Sequence, residues 1–238
     1  MNGEQPMRGG VPQTWNLAAH FIAPNPPTSL NPKPISPRVH PTAYVGPFSV
    51  IIGDVTVGEH VFIAPLVSVR ADEGTPFFIG ENTSLQDGVI LHGLAQGRVT
   101  VLDQEYSIYI GKRVSGAHGC IIHGPCHLGD EVFVGFNAVV FNAEVGSGSY
   151  ISSGALIMGV RIAQKRFVPP GAIIDTQQLA DALSPIPKDK GEFTQRVLQV
   201  NTQFPQSYSL MFGRTRCSCG LACDPGTLNS EEPMCKEP

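Results

Sequence analysis

Aliphatic residues recur at every sixth position along most of this chain, and the series is interrupted by two insertions. Its members are Val45, Ile51, Val57, Ile63, Val69, Ile79, Leu85, Leu91, Ile110, Ile122, Leu128, Val134 and Val140, with Gly116 as the one non-aliphatic member, and then, after one five-residue step, Val145, Ile151 and Ile157. Glycine or alanine often follows the aliphatic residue. Neither an α-helix nor a β-hairpin has this period.

A period of six with a small residue beside the aliphatic one predicts an all-β fold, a parallel β-helix of the hexapeptide type. Three short strands form one triangular coil of about eighteen residues. Each aliphatic side chain then stacks inward on the one in the coil below, about 4.8 Å away. An ordinary β-sandwich is the alternative, but its hairpin turn dipeptides and period-two alternation are scarce here.

Counting in sixes assigns each position to one of three faces, which we call A, B and C, with Val45 on face A. Arg70, His92 and His123 then share one phase on face B of three successive coils. Alternate residues of a strand point to opposite sides, so the neighbour of an inward aliphatic residue points outward. We therefore expect His92 and His123 to stand one above the other on the outer wall.

His118 falls on face A, around a corner of the prism from the other two histidines. Because Zn–N bonds are only about 2.0 to 2.1 Å long, we expect a neighbouring chain to supply it to a metal held by His92 and His123. Closed packing of face A on face B predicts a homotrimer with three metal sites. Three neutral imidazoles leave a fourth position for water, whose pKa the metal lowers to around 7. The alternative is three separately hydrogen-bonded surface histidines.

Composition narrows the class of protein. The chain has 238 residues, 42% hydrophobic content and a formal charge of −4, which suits one substantial folded domain. No basic patch dominates, so nucleic acid is not an expected partner. An apolar run of eighteen residues is missing, and the first residues lack the apolar core of a signal peptide, so we expect a cytoplasmic protein with no membrane partner.

The chain divides into four predicted parts. They are a Pro-rich N-terminal arm (1–41), a hexapeptide β-helix domain (42–176), a C-terminal helical segment (177–205) and a Cys-rich tail (206–238). The arm holds nine of the 21 prolines and is expected to lie extended over the first coils. Apolar spacing predicts a helix over 189–204 that ends at Pro205. Cys120 and Cys126 are expected to be small packing residues inside the prism.

Several ordered segments resemble the γ-class carbonic anhydrases. They are Arg70-Ala71-Asp72-Glu73-Gly74, Gln86-Asp87-Gly88-Val89-Ile90-Leu91-His92-Gly93, Ala117-His118-Gly119-Cys120-Ile121-Ile122-His123-Gly124-Pro125 and Phe167-Val168-Pro169-Pro170-Gly171. The segments His92-Gly93-Leu94-Ala95-Gln96-Gly97-Arg98-Val99 and 135–143 are more narrowly similar to the N-terminal domain of carboxysome scaffold proteins.

The resemblance implies a left-handed β-helix homotrimer that interconverts carbon dioxide and bicarbonate. Zn²⁺, with Co²⁺ or Fe²⁺ as alternatives, would be bound by His92, His118 and His123 at each interface, and metal-bound hydroxide would attack carbon dioxide. The location implied is the carboxysome.

The resemblance also implies roles for residues around the metal. Glu73 would assist at the metal-bound oxygen, Gln86 would orient the hydroxide, and Asn201 would lie near the substrate pocket. Arg70 and Asp87 would pair and brace the interface, although a purely structural role for these two is equally open.

The chain departs from the family pattern at the external proton shuttle. Ala95 stands where relatives have an acidic residue three positions after the first ligand, and alanine cannot transfer protons. Glu105 could substitute only if its loop folds back, and Ser84 replaces an asparagine. The alternative function is therefore a weak or inactive scaffold domain that recruits Rubisco and carboxysome shell proteins. Acyl transfer by the same fold is a third possibility, but it has no use for three metal-binding histidines.

The tail suggests redox control. Cys217 and Cys223 are six positions apart, as is a cysteine pair in the tails of carboxysomal relatives, so the resemblance implies a disulfide linked to activity. Cys219 with Cys223, or Cys235, would also close a loop. A zinc knuckle formed by all four is the rival, but their spacing fits no standard pattern.

Overall fold

The computed structural model describes residues 20–212. In chain order its strands are β1 (Phe21–Ala23), β2 (Arg38–Val39), β3 (Tyr44–Val45), β4 (Val50–Gly53), β5 (Val55–Val57), β6 (Phe62–Ile63), β7 (Ser68–Ala71), β8 (Phe77–Ile79), β9 (Ser84–Leu85), β10 (Ile90–Gly93), β11 (Val99–Val101), β12 (Gln104–Tyr106), β13 (Ile108–Ile110), β14 (Ser115–Gly116), β15 (Ile121–Leu128), β16 (Phe133–Val134), β17 (Val139–Val145), β18 (Tyr150–Ile151), β19 (Leu156–Met158), β20 (Arg161–Ile162), β21 (Phe167–Val168) and β22 (Ile173–Ile174). The helices are α1 (Gln177–Asp181), α2 (Lys188–Asn201) and α3 (Phe204–Phe212).

The predicted parallel β-helix is confirmed. Face A consists of β3, β6, β9, β14, β16, β18 and β21. Face B consists of β1, β4, β7, β10, the first parts of β15 and β17, β19 and β22. Face C consists of β2, β5, β8, β13, the last parts of β15 and β17, and β20. All strand pairs within these faces are parallel, and the antiparallel hairpin β11–β12 occupies the second insertion.

The register agrees with the count in sixes. Leu91 pairs with Val69 on one side and with Ile122 on the other, so both insertions preserve the phase of face B. Between β15 and β17 the register shifts after His123, which is the structural counterpart of the five-residue step before Val145. The insertions are therefore loops at the corner of the prism, and the stacking of coils continues past them.

The core is the column of inward aliphatic side chains. Its largest members have no exposed surface, among them Ile51, Ile63, Ile79, Leu85, Leu91, Ile110, Ile122 and Leu128. Burying each such side chain contributes about 1.5 to 3 kcal/mol. Cys120 and Cys126 are also buried and free, as expected of packing residues.

Part of the N-terminal arm belongs to the sheets. β1 pairs with β4 in parallel and adds a further strand to face B, and β2 pairs with β5 on face C. The arm thus covers the exposed hydrogen-bonding edge of the first coil, a common protection of edge strands.

The helices follow the last coil, and they differ from the expectation at one point. Pro205 does not end the helical segment, because it lies in the first turn of α3, where a missing N–H leaves no hydrogen bond unmade. α2 ends at Asn201, and α3 runs on to Phe212. Among the described helices, none has the length and apolar character needed to cross a membrane.

Candidate metal centre

His92 and His123 face each other on the outer wall of the prism. They are directly paired between β10 and β15, on successive coils of face B. The Nδ1 atom of His92 lies 3.2 Å from the Nε2 atom of His123. Two nitrogens that ligate one tetrahedral zinc at about 2.0 to 2.1 Å are about 3.3 Å apart. The pair therefore has the spacing of two ligands of one metal ion.

The outer nitrogen of each ring has an acceptor of its own. His92 Nε2 lies 3.2 Å from Asp72 Oδ1, and His123 Nδ1 lies 3.2 Å from the carbonyl oxygen of Gly124. In the tautomers that donate from these outer nitrogens, the two facing nitrogens are lone-pair acceptors. In those tautomers a metal ion between the two nitrogens would be bound by both lone pairs. A carboxylate or carbonyl on the far nitrogen is the usual support of a metal-ligating histidine.

Asp72 belongs to this group of side chains, although the sequence analysis did not single it out. One oxygen of its carboxylate contacts His92, and the other accepts a hydrogen bond from Arg70 Nε at 2.9 Å. Asp72 follows the end of β7, where the first insertion begins. It comes two residues after Arg70, which pairs with His92 from the neighbouring coil, and this spacing is the signal that could have indicated it. Arg70 therefore holds the carboxylate that orients a histidine.

Glu73 lies beside the same histidine. Its Oε1 accepts a hydrogen bond from the backbone N–H of Ala95 at 3.1 Å, and its Oε2 is 3.9 Å from His92 Nε2. The side chain is 39% exposed, so the carboxylate touches both the histidine and solvent. Ala95 thus contributes to the position of the Glu73 carboxylate through its backbone N–H. Glu105 lies on β12 opposite Thr100 and is exposed.

His118 stands at the corner between faces A and B. Its Nδ1 lies 3.0 Å from Asp87 Oδ2, and its ring stacks on Phe136 with a centroid distance of 5.7 Å. An Nδ1–H that donates to the Asp87 carboxylate would leave the Nε2 lone pair for a metal. Gly119 makes the turn with a φ of +72°, and a Cβ there would lie 2.4 Å from Asn137 Oδ1. Only glycine fits this turn without moving its neighbour.

Beside His118, a cavity of about 410 Å³ lies between face A and the C-terminal helices. It lies at a break in the outward column of face A, which reads Tyr44, Phe62, Ser84, Ser115, Phe133, Tyr150 and Phe167. The aromatic residues pack against α2 and α3, for example Phe62 on Phe204 and Phe133 on Phe193. Because the two serines in the middle are small, this space is left open.

Gln86 and Asn201 meet at this cavity. Gln86 Nε2 donates to Ser84 Oγ at 2.7 Å and to Asn201 Oδ1 at 3.4 Å. Both amide protons of Gln86 are used, so its Oε1 is left to accept a hydrogen bond, and the Asn201 Nδ2 group is left to donate one. Asn201 is buried at the end of α2. Ser84 therefore replaces the family's asparagine with a hydroxyl acceptor that orients Gln86.

The predicted site residues thus form two half-sites on one chain. One, on face B, comprises Arg70, Glu73, His92 and His123 together with Asp72, and the other, on face A, comprises Gln86, Asp87, His118 and Asn201. Within residues 20–212, no group of three or more potential ligands is close enough to hold a metal ion. Arg70 and Asp87 contact Asp72 and His118 instead of each other, so their pairing across an interface stays a prediction. Cys217 and Cys223 lie outside the described residues.

Comparison with known proteins identifies the family. The chain is 37% identical over 199 residues to a carbonic anhydrase of Methanosarcina thermophila, and the match covers 79% of this chain and 81% of that protein. The chain belongs to the γ-class carbonic anhydrase family. It is also 44% identical over 200 residues to the carboxysome assembly protein CcmM of a Nostoc species, with 84% of this chain matched.

The match to CcmM covers only 36% of that protein, so the chain spans about a third of its length. The fold agrees with a solved structure of a hexapeptide transferase family protein from Anaplasma phagocytophilum, which has a TM-score of 0.59 and 24% identity over 73% of this chain and 93% of that one. No family model matches the chain. Imidazole nitrogens such as those of His92, His118 and His123 are suitable zinc ligands.

Proposed function

We propose that the chain catalyses the reversible hydration of carbon dioxide to bicarbonate, at zinc sites shared between the subunits of a homotrimer. The supporting observation is the facing pair of His92 and His123 nitrogens, with the far nitrogens already bound by acceptors. His118 of a neighbouring chain would complete each site. Its imidazole is half exposed at the corner, with Nδ1 3.0 Å from Asp87 Oδ2.

An apolar strip supports the proposed assembly. The outward column next to the histidines is formed by Phe21, Val50, Ser68, Ile90, Ile121, Val139, Leu156 and Ile173. Phe21, Ile90 and Ile173 are 58%, 41% and 59% exposed in the single chain. An exposed apolar strip of this length, interrupted only at Ser68 among the residues named, supports an interaction surface. Packing a second copy here would bury the strip and bring its face A to the histidines.

Glu73 is the proposed proton-transfer group. Zn²⁺ bound by three imidazoles lowers the pKa of water at its open position to about 7 and thus supplies hydroxide at neutral pH. Glu73 contacts His92 on one side and solvent on the other, so its carboxylate can take a proton from the site and release it to buffer. With Ala95 in place of an acidic residue, the transfer to buffer would depend on buffer concentration.

Gln86 and Asn201 are the proposed substrate-orienting pair. The remaining acceptor of Gln86 would orient the attacking O–H, and the remaining donors of Asn201 would bind an oxygen of the substrate. Phe62, Phe133 and Phe204 line the same cavity and exclude water around carbon dioxide.

A carboxysome scaffold role is the second candidate. It is favoured by the similarity to CcmM and by Ala95. In this role the trimer would recruit Rubisco and shell proteins inside the carboxysome, and turnover would be slow or absent. Redox control through Cys217 and Cys223 is part of the enzyme proposal. It is supported by the position of these cysteines in the sequence, shortly after α3, and by the packing of Tyr208 of α3 on Tyr44 of face A.

Stopped-flow hydration of carbon dioxide in a strong buffer distinguishes these functions. We expect a zinc-dependent rate that rises with buffer concentration, and a different rate after oxidation. No rate above background in either redox state would refute the enzyme proposal and leave the scaffold role. An unchanged rate in the Cys217→Ser/Cys223→Ser variant under both conditions would refute redox control alone.

A further inference from the structure

We infer that Asn31, in the N-terminal arm, is a positioning residue for the acidic loop of the metal centre. Its Nδ2 atom donates to the carbonyl oxygens of Asp72 and Glu73, at 2.9 Å and 2.8 Å. A single side-chain amide thus binds the backbone of the two residues whose carboxylates contact His92. Both protons of the amide are used, so Asn31 fixes the loop at two successive peptide groups.

The arm is built so that Asn31 is held in place. Asn25 is almost fully buried, and its Nδ2 lies 3.3 to 3.4 Å from the carbonyl oxygens of Pro26, Asn31 and Lys33. Its Oδ1 accepts a hydrogen bond from the N–H of Ile35 at 2.8 Å. Asn25 therefore organises a closed loop that includes Asn31. The prolines of this loop restrict its unfolded backbone and reduce the entropy lost on ordering it.

The loop reaches the histidine through Asp72 and Glu73. Asp72 Oδ1 lies 3.2 Å from His92 Nε2, and Glu73 is held between Asn31 at its backbone and the Ala95 N–H at its carboxylate. If the Asn31 amide is removed, the backbone of both residues loses this anchor, and the hydrogen bonds from Arg70 and Ala95 alone hold the two carboxylates near His92. Loss of an outer support of a ligand typically weakens metal binding about 10- to 100-fold.

The test compares Asn31→Ala and Asn31→Asp with a control in the same loop. Thr28→Ala removes the hydroxyl that accepts from the Asn31 N–H at 3.0 Å, but it leaves the Asn31 side chain intact. We expect both Asn31 variants to raise the zinc dissociation constant at least about tenfold, measured by chelator competition, and Thr28→Ala to change it less than about twofold. Wild-type affinity in Asn31→Ala, or equal weakening in the control, would overturn the inference.

A second measurement does not need the metal. The Ala95 N–H donates to Glu73, so its hydrogen exchange in the metal-free protein should become about fivefold faster or more in Asn31→Ala, and stay unchanged in Thr28→Ala. The role in zinc binding depends on the proposed function, whereas this readout does not. If the wild-type chain binds no zinc, the proposed function fails, and the exchange rate alone decides whether Asn31 positions the loop. Unchanged exchange would then overturn the inference as well.

Discussion

The Nδ1 atom of His92 faces the Nε2 atom of His123 at 3.2 Å, although the two residues are 31 positions apart in the sequence. Their outer nitrogens lie 3.2 Å from Asp72 Oδ1 and 3.2 Å from the Gly124 carbonyl oxygen. In the proposed site, a metal ion would bind between these two facing nitrogens. In the proposed trimer this pair would provide two of the three ligands, and His118 of a neighbouring chain would provide the third.

Mixed trimers test this dependence. We expect His118→Ala and His92→Ala homotrimers each to bind little zinc, because every site lacks one ligand. Unfolding and refolding an equal mixture should restore about one quarter of the wild-type zinc, since each mixed trimer contains one complete site. Bound zinc is measured by elemental analysis after gel filtration. Zinc no higher than in the parent variants would argue against shared sites.

Ile90 tests the apolar strip on face B. Replacing it with glutamate would place a charge in the proposed interface, at a cost of several kcal/mol, so we expect Ile90→Glu to be monomeric and to lose zinc. Leu179→Glu is the matched control, because Leu179 is 44% exposed on α1 and Ile90 is 41% exposed. Light scattering after gel filtration measures the mass of each variant. A trimeric Ile90→Glu protein would contradict the proposed packing.

Asn201→Ala should lower the rate without loss of metal. Removing the amide takes away a donor to the substrate and one partner of Gln86, so we expect about a tenfold lower kcat/KM, the effect of one hydrogen bond. Zinc affinity should stay within about twofold, because Asn201 contacts none of the three histidines in this chain. Stopped-flow kinetics and chelator competition on the same sample separate the two effects. A zinc defect as large as the rate defect would place Asn201 in the metal-binding support instead.

Gly80 tests the close stacking of coils. A Cβ at this position would lie 2.5 Å from the carbonyl oxygen of Gly111, which belongs to the backbone of the next coil and cannot move aside. We expect Gly80→Ala to reduce the free energy of unfolding by more than about 2 kcal/mol. Gly191→Ala, in α2 with no atom within 4 Å of its Cβ, should raise it by about 0.5 to 1 kcal/mol. Thermal melts at one protein concentration compare them; equal melting temperatures would contradict the prediction.

Cys120 and Cys126 should resist alkylation in the folded protein. Burial raises the pKa of each thiol to about 12, so at pH 8 only about one in 10,000 is a thiolate, the reactive form. Iodoacetamide treatment followed by peptide mass spectrometry should label both residues only after unfolding. Labelling of either one in the native protein at the rate of a free cysteine would show that this part of the prism opens.

Much of the fold follows from one regularity. The period of six assigns each aliphatic residue to a face, and the observed register agrees with that assignment past both insertions, because each coil must place its aliphatic column on the one below. The end of the helical segment was mispredicted at Pro205, because a proline is disfavoured inside a helix but suits the first turn of a new one.

The sequence by itself determined the coil, the phase of His92 and His123, and the placement of His118 around a corner, because stacking depends only on spacing. The tertiary structure decided which acceptors hold the imidazoles, that Gln86 meets Asn201 across 115 positions, and that Asn31 binds the loop of Glu73 across 42. Such contacts depend on where loops and helices return to the prism. The period of six does not specify where these loops and helices contact the prism. Each contact is fixed by hydrogen bonds and packing between segments that are far apart in sequence.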